Sequence, residues 1–123
     1  PLTPALLLEC ELDFQQASDS AFLQELELMQ PFGAGNAEPV FASPELTVVD
    51  RSPLGYSGDH VRLRLKDSAS GITLMAKGWN MATAFPPSSV GSRIRVAYTP
   101  RLDYYRGVAS IDVGIKDWQP VAD

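Results

Sequence analysis

Three basic residues, Arg62, Arg64 and Lys66, alternate with Val61, Leu63 and Leu65 in the stretch HVRLRLKD. Successive side chains of an extended chain point to opposite faces, so this spacing puts the cations on one face and the aliphatics on the other. A cation and a ring follow at Lys77 and Trp79, and Tyr104, Tyr105 and Arg106 stand together just ahead of Gly107. Cations that track a phosphate backbone, beside flat rings that stack on bases, are what binding of single-stranded nucleic acid requires. Each residue also has an ordinary use: Trp79 as a core or rim residue, the cations as a solvated strand face. Tyr104 and Tyr105 are neighbours, so only one can face outward from a strand. Even steps from Tyr98, on an apolar face, turn Tyr104 in and leave Tyr105 out. The candidate contact set is therefore Arg62, Arg64, Lys66, Lys77, Trp79, Tyr105 and Arg106.

Little in the chain could catalyse. His60 is the single histidine, and Asp59 beside it on a turn makes no site by itself. Cys10 is the single cysteine and has no activating base near it in sequence. It also has no partner for an internal disulfide, which points to a reducing compartment, the cytoplasm by default. No cluster has metal-ligand spacing, so no cofactor is expected within these residues. No run is long enough for a membrane helix, and PALLLEC lacks the basic flank of a signal peptide. The start at PLTP, without Met, reads as a piece of a longer polypeptide.

The net charge of −5 argues against a nucleic-acid binder until its distribution is considered. Residues 1–60 hold one basic and ten acidic residues, a balance of −9; residues 61–123 hold nine and five, a balance of +4. A polyanion meets the local patch, not the total.

The elements that position these residues can be read from periodicity. ALLLECELDF, residues 5–14, alternates apolar with acidic residues and is expected to be extended. SDSAFLQELELMQPFG is expected to be a helix. Ser18, Asp19 or Ser20 caps it, Phe22, Leu23, Leu26 and Met29 form its apolar stripe, and Pro31 ends it. Five strands follow: VFASPELTVVDRS, broken at Pro44; HVRLRLKD; ITLMAKGW; RIRVAYTPRLDYY; and VASIDVGIKDW. NMATAFPPSSVGS interrupts the third and fourth, with room for one helical turn before Pro86. Five strands with an insertion in that place are the order of an OB-fold, a small Greek-key barrel; an SH3-like barrel or a small sandwich has a comparable strand count. The predicted class is mainly β, a five-stranded OB-fold barrel at residues 39–123 preceded by a strand–helix linker segment at residues 1–38.

PFGAGNAEPVF, residues 31–41, joins the two parts. GAGNAE begins like a dinucleotide-binding loop but follows a helix, has Glu38 in place of the third glycine, and leads into no helix. It lacks the Lys-Ser/Thr pair of a P-loop. Gly33, Gly35 and Asn36 instead suit a tight reversal, with Phe32 and Phe41 buried on either side.

The same eleven residues resemble the PFG-x-GN-x-EPVF signature of the RecJ family of single-stranded-DNA-specific exonucleases. DHVRLRLKD is similar to the second OB strand of that family, and LDYYRGVASIDVGIKDW to its closing hairpin. The resemblance covers Leu7 to Trp118. It implies the C-terminal OB domain of a 5'-3' single-strand exonuclease of DNA repair and recombination. Such a domain holds single-stranded DNA for a catalytic core outside this chain. That core would carry divalent Mn or Mg, whereas the present residues would be non-catalytic. The implied partners are single-stranded DNA, the catalytic lobes of the same polypeptide and, as a further candidate, single-strand-binding protein, with no membrane. A second reading is a structural or interaction domain whose acidic first half docks on those lobes or on a partner protein.

Overall fold

Alternation builds the barrel. In the computed structural model, which describes residues 11–28, 38–105 and 107–122, the basic stretch becomes β3 (His60–Asp67). Its inward residues Val61, Leu63 and Leu65 are fully buried. On one side β3 pairs antiparallel with β2 (Leu46–Leu54), and on the other with β4 (Thr73–Gly78). β5 (Arg93–Tyr105) and β6 (Val108–Pro120) form a long hairpin, and β1 (Phe41–Ala42) lies against β5.

The sheet order is β1-β5-β2-β3-β4-β6, and the β5–β6 pairing closes it into a ring. β4 and β6 run parallel; the other strand pairs are antiparallel. Pro44 lies between β1 and β2. It has no N–H to give a ladder, which is why one predicted strand is divided here into the two-residue β1 and the nine-residue β2. Taken as one strand, they leave the five-stranded Greek-key arrangement of an OB-fold.

A register shift between Val48 and Asp50 changes which side of β2 faces in. Beyond it, the Arg51 Nε donates to the Phe85 carbonyl at 2.8 Å. Arg51 is thereby a brace for the segment between β4 and β5. In that segment the Phe85 amide bonds the Met81 carbonyl, one helical turn ahead of Pro86, and a 3-10 turn follows at Pro87–Ser89. Phe85 is buried and its ring meets Trp118 at 4.6 Å.

The N-terminal part departs from expectation. Glu11 makes an isolated bridge to Ala42, but at Phe14, the last residue of the predicted extended stretch, a helix opens, α1 (Phe14–Ala17), in a segment for which no helix was expected. The cause is a capping box. The Asp13 carboxylate accepts from the Gln16 amide at 2.8 Å while the Gln16 side chain accepts from the Asp13 amide. α1 seals one end of the barrel: Phe14 and Ala17 are fully buried within the same apolar cluster as the strand residues. Phe14 meets Tyr98 edge-on at 5.9 Å, and the Tyr98 hydroxyl donates to the Leu12 carbonyl at 2.6 Å. Burial, reinforced by the nearby Asp13 and Asp67 carboxylates, pushes the Tyr98 hydroxyl well above its ordinary value, so it stays a donor. Asp67, buried at the end of β3, accepts from the Phe14 amide at 3.1 Å and from the Ala69 amide at 3.0 Å. One carboxylate thus ties α1 to the β3–β4 turn.

α2 (Ser20–Leu28) follows, with Asp19 accepting from the Phe22 amide at 3.2 Å. Leu23 and Leu26 are buried, and Phe22 meets Phe41 of β1 at 5.7 Å, which joins helix to barrel. Residues 5–10 of the predicted first strand, the Met29–Pro31 helix end, and the Phe32, Gly33, Gly35 and Asn36 turn lie outside the described residues.

Candidate nucleic-acid interface

On the outer face of β3, Arg62 stands directly opposite Lys77 of β4, Arg64 opposite Met75, and Lys66 opposite Thr73. β6 continues the face beside β4, with Asp112 opposite Met75 and Gly114 opposite Lys77. Arg62, Arg64, Thr73, Met75, Lys77 and Asp112 border an open groove of about 570 Å³ between the β3–β4 surface and the β5–β6 hairpin. A smaller hollow of about 220 Å³ adjoins it past Lys77 and is bordered by Trp79 and Arg101. Arg62, Arg64, Lys77 and Trp79 therefore share one surface. Lys66 sits at its edge, exposed beside Thr73. Arg106 and the Tyr105 side chain at the hairpin tip lie outside the described residues.

The cations on this surface are not equivalent. Among the described residues Arg62 and Arg64 have no carboxylate within ion-pair distance. Lys77 is different: its Nζ lies 3.1 Å from Asp112 and 3.9 Å from Asp103. Asp112 is nearly buried, so Lys77 is a paired group in the groove floor and not the free cation that the sequence suggests. No combination of three or more His, Cys, Asp or Glu suited to a metal occurs among the described residues, and the Lys77 ammonium offsets one of the two carboxylate charges.

Trp79 is half exposed and held in place. Its ring meets His60 at 4.9 Å, edge-on at 69°. The His60 Nδ1 accepts from the Asn80 amide at 2.8 Å, and Asn80 takes the positive φ of 60° that lets the chain turn away after Trp79. The imidazole thus supports the indole, a role that its place in a turn motif did not reveal.

A second cation group was also hidden in the sequence. Arg101 and Lys116 converge on Glu38: the Arg101 guanidinium bonds Oε1 and the Lys116 Nζ lies 3.3 Å from Oε2. Partial burial raises the Glu38 carboxyl, but the bonds and charges of Arg101 and then Lys116 outweigh it and leave it below the ordinary glutamate value. Glu38, which would repel a pyrophosphate, is an internal anchor. Arg93 is likewise held, 2.6 Å from Glu45.

The RecJ OB domain family matches residues 8–117. The chain belongs to that family. Single-stranded-DNA-specific exonuclease RecJ of Haemophilus influenzae is 25% identical over 112 residues, which cover 89% of this chain and 19% of that protein. RecJ from Thermus thermophilus has a similar structure in its complexes with Mn2+ and Mg2+. The TM-scores are 0.57 and 0.56 and the identities 26% and 28%, over 81% and 80% of this chain. Each match takes in 14% of the Thermus chain, so this RecJ OB domain corresponds to a small part of its relatives. Among the described residues no helix is long and apolar enough to cross a membrane.

Proposed function

We propose that this RecJ OB domain binds single-stranded DNA on the β3–β4 face and positions it for a catalytic core in a longer polypeptide. The observation that carries the reading is the pair Arg62 and Arg64, cations without a carboxylate partner among the described residues, on the border of an open groove of about 570 Å³. Phosphates run along these two guanidiniums, with Lys66 at the edge and Trp79 offering a ring face to a base. Arg106 and Tyr105 extend the contact at the hairpin tip. The metal named for the Thermus relatives belongs with the catalytic core, as does the 5'-3' hydrolysis itself. Single-strand-binding protein is a candidate partner of the whole enzyme. Fluorescence anisotropy of a labelled oligonucleotide at low salt tests the reading. Saturable binding that fails in the Arg62→Glu, Arg64→Glu double variant, with an unchanged melting temperature, is the expected result. A flat titration of the wild type refutes it.

A second surface has its own observation. Leu28 is 85% exposed on α2, whose outward residues include Glu25 and Glu27. We propose that this side contacts the catalytic lobes. Leu28→Asp in the whole enzyme is expected to loosen that packing without changing oligonucleotide binding by the isolated chain.

A further inference from the structure

The β2–β3 hairpin closes at Leu54 opposite His60, and its loop carries Tyr56 at the tip. Tyr56 is completely exposed, the most exposed of the large apolar side chains among the described residues. Gly55 and Gly58 hold the loop with φ of 79° and 80°. A Cβ built on Gly58 would touch nothing, so that glycine is required by backbone geometry and not by crowding. The loop therefore presents a phenol to solvent that packs on no part of the barrel.

An exposed tyrosine alone is ordinary. Its position is not. Across the hairpin's first pair stands His60, and the His60 ring lies against Trp79. Arg62 is two residues further along β3, opposite Lys77. The loop that carries Tyr56 thus ends at His60, whose ring touches Trp79, so Tyr56 belongs to the same end of the sheet as the tryptophan that borders the smaller hollow. His60 is occupied by supporting Trp79 and by the Asn80 amide, which leaves Trp79 and Tyr56 as the two rings with free area.

We propose that Tyr56 is a second base-stacking platform, which takes a nucleobase of the single strand beyond the one that Trp79 takes. This rests on the single-strand-binding reading above and assigns a residue that the charge pattern does not point to. Stacking is indifferent to base identity, because every base has a π face, so the platform adds affinity and reach without sequence preference. It is also insensitive to salt, unlike the Arg62 and Arg64 contacts.

The test is anisotropy titration of a labelled oligothymidine with the wild-type chain, Tyr56→Ala, Tyr56→Phe and Arg62→Ala, each across a salt series. Tyr56→Ala is expected to weaken binding by about 5- to 150-fold, the range for one stacked base, with the slope of log affinity against log salt unchanged. Tyr56→Phe keeps the ring and retains wild-type affinity. Arg62→Ala lowers the slope. Because the ring packs on nothing, the melting temperature of Tyr56→Ala should equal that of the wild type, which separates a lost contact from a lost fold. Wild-type affinity in Tyr56→Ala, while Arg62→Ala still weakens binding, overturns the inference and leaves the binding reading standing. Absence of binding by the wild type overturns both.

Discussion

Arg62 and Arg64 should dominate the salt dependence of oligonucleotide binding, and the structure says by how much. A cation with no carboxylate partner neutralises a phosphate outright when it binds, and for single strands each such neutralisation contributes about 0.7 to the slope of log affinity against log salt. The Arg62→Ala, Arg64→Ala double variant should therefore be shallower than the wild type by about 1.4. Between about 50 and 200 mM salt, the wild type then loses roughly sevenfold more affinity than the variant, since a fourfold rise in salt to the power 1.4 is about seven. Lys77 differs because Asp112 already holds it at 3.1 Å. A phosphate meeting Lys77 competes with an internal carboxylate, so Lys77→Ala should change the slope by less than about 0.7. Asp112→Asn should do the reverse, leaving Lys77 only the longer 3.9 Å contact with Asp103 and steepening the slope. The assay is anisotropy titration at four or five salt concentrations, with thermal melts to show that each variant is folded. A double variant with the wild-type slope refutes the assignment of these arginines to phosphates. A Lys77→Ala effect as large as that of the two arginines together refutes the argument from pairing.

Phe14→Ala empties a fully buried ring site and its edge contact with Tyr98, so a loss of about 3–5 kcal/mol and a melting temperature lower by on the order of 10–20 °C are expected by calorimetry. For the same reason a chain begun at Pro39, the sequence-based start of the barrel, should be markedly less stable than one that keeps α1. Gly78→Ala places a Cβ 3.1 Å from atoms of both Met81 and Val61, which should cost about 1–3 kcal/mol in a denaturant titration. Glu38 titrates below its unfolded value, so its contribution is present above the ordinary glutamate range and lost as pH falls through the lower, folded value. Glu38→Gln should therefore narrow the stability gap to the wild type as pH is lowered through that acid range, measured as melting temperature against pH.

β3 was legible because nothing competes with its alternation: three aliphatics fill the barrel and the polar partners stand outside. The hairpin of β5 and β6 was legible for the same reason, although the register skips Lys116 on β6 between Asp117 and Ile115, an extra residue that strict alternation does not provide for. α1 was not legible, because a four-residue helix has too few turns to show a period and is set by its cap. Trp79 could be named from its neighbourhood but not its support, since the His60 contact needs β3 and β4 in register. The pairing of Lys77 with Asp112 depends on the parallel contact of β4 with β6, which no local pattern encodes. Tyr56 was hidden for a different reason. Its loop reads as a turn, and nothing local says that the turn ends beside a tryptophan.

The division of charge along the chain has a consequence that only the fold exposes. The acidic first half and the basic second half do not form two separate surfaces, because residues of the first half supply the partners of cations in the second. Glu38 takes Arg101 and Lys116, and Glu45 takes Arg93. The positive excess of residues 61–123 is thus largely cancelled on the β5–β6 side, and Lys77 is cancelled from within by Asp112. Arg62 stands between Ser52 on β2 and Lys77 on β4, so no acid faces it, and Arg64 stands between Met75 and Asp50, whose carboxylate is not within ion-pair distance of it. Arg95, exposed on β5, is a further cation with no carboxylate partner among the described residues, so uncancelled positive charge lies on β3 and also at this position of β5. A net charge of −5 is therefore compatible with a polyanion ligand that meets these local cations.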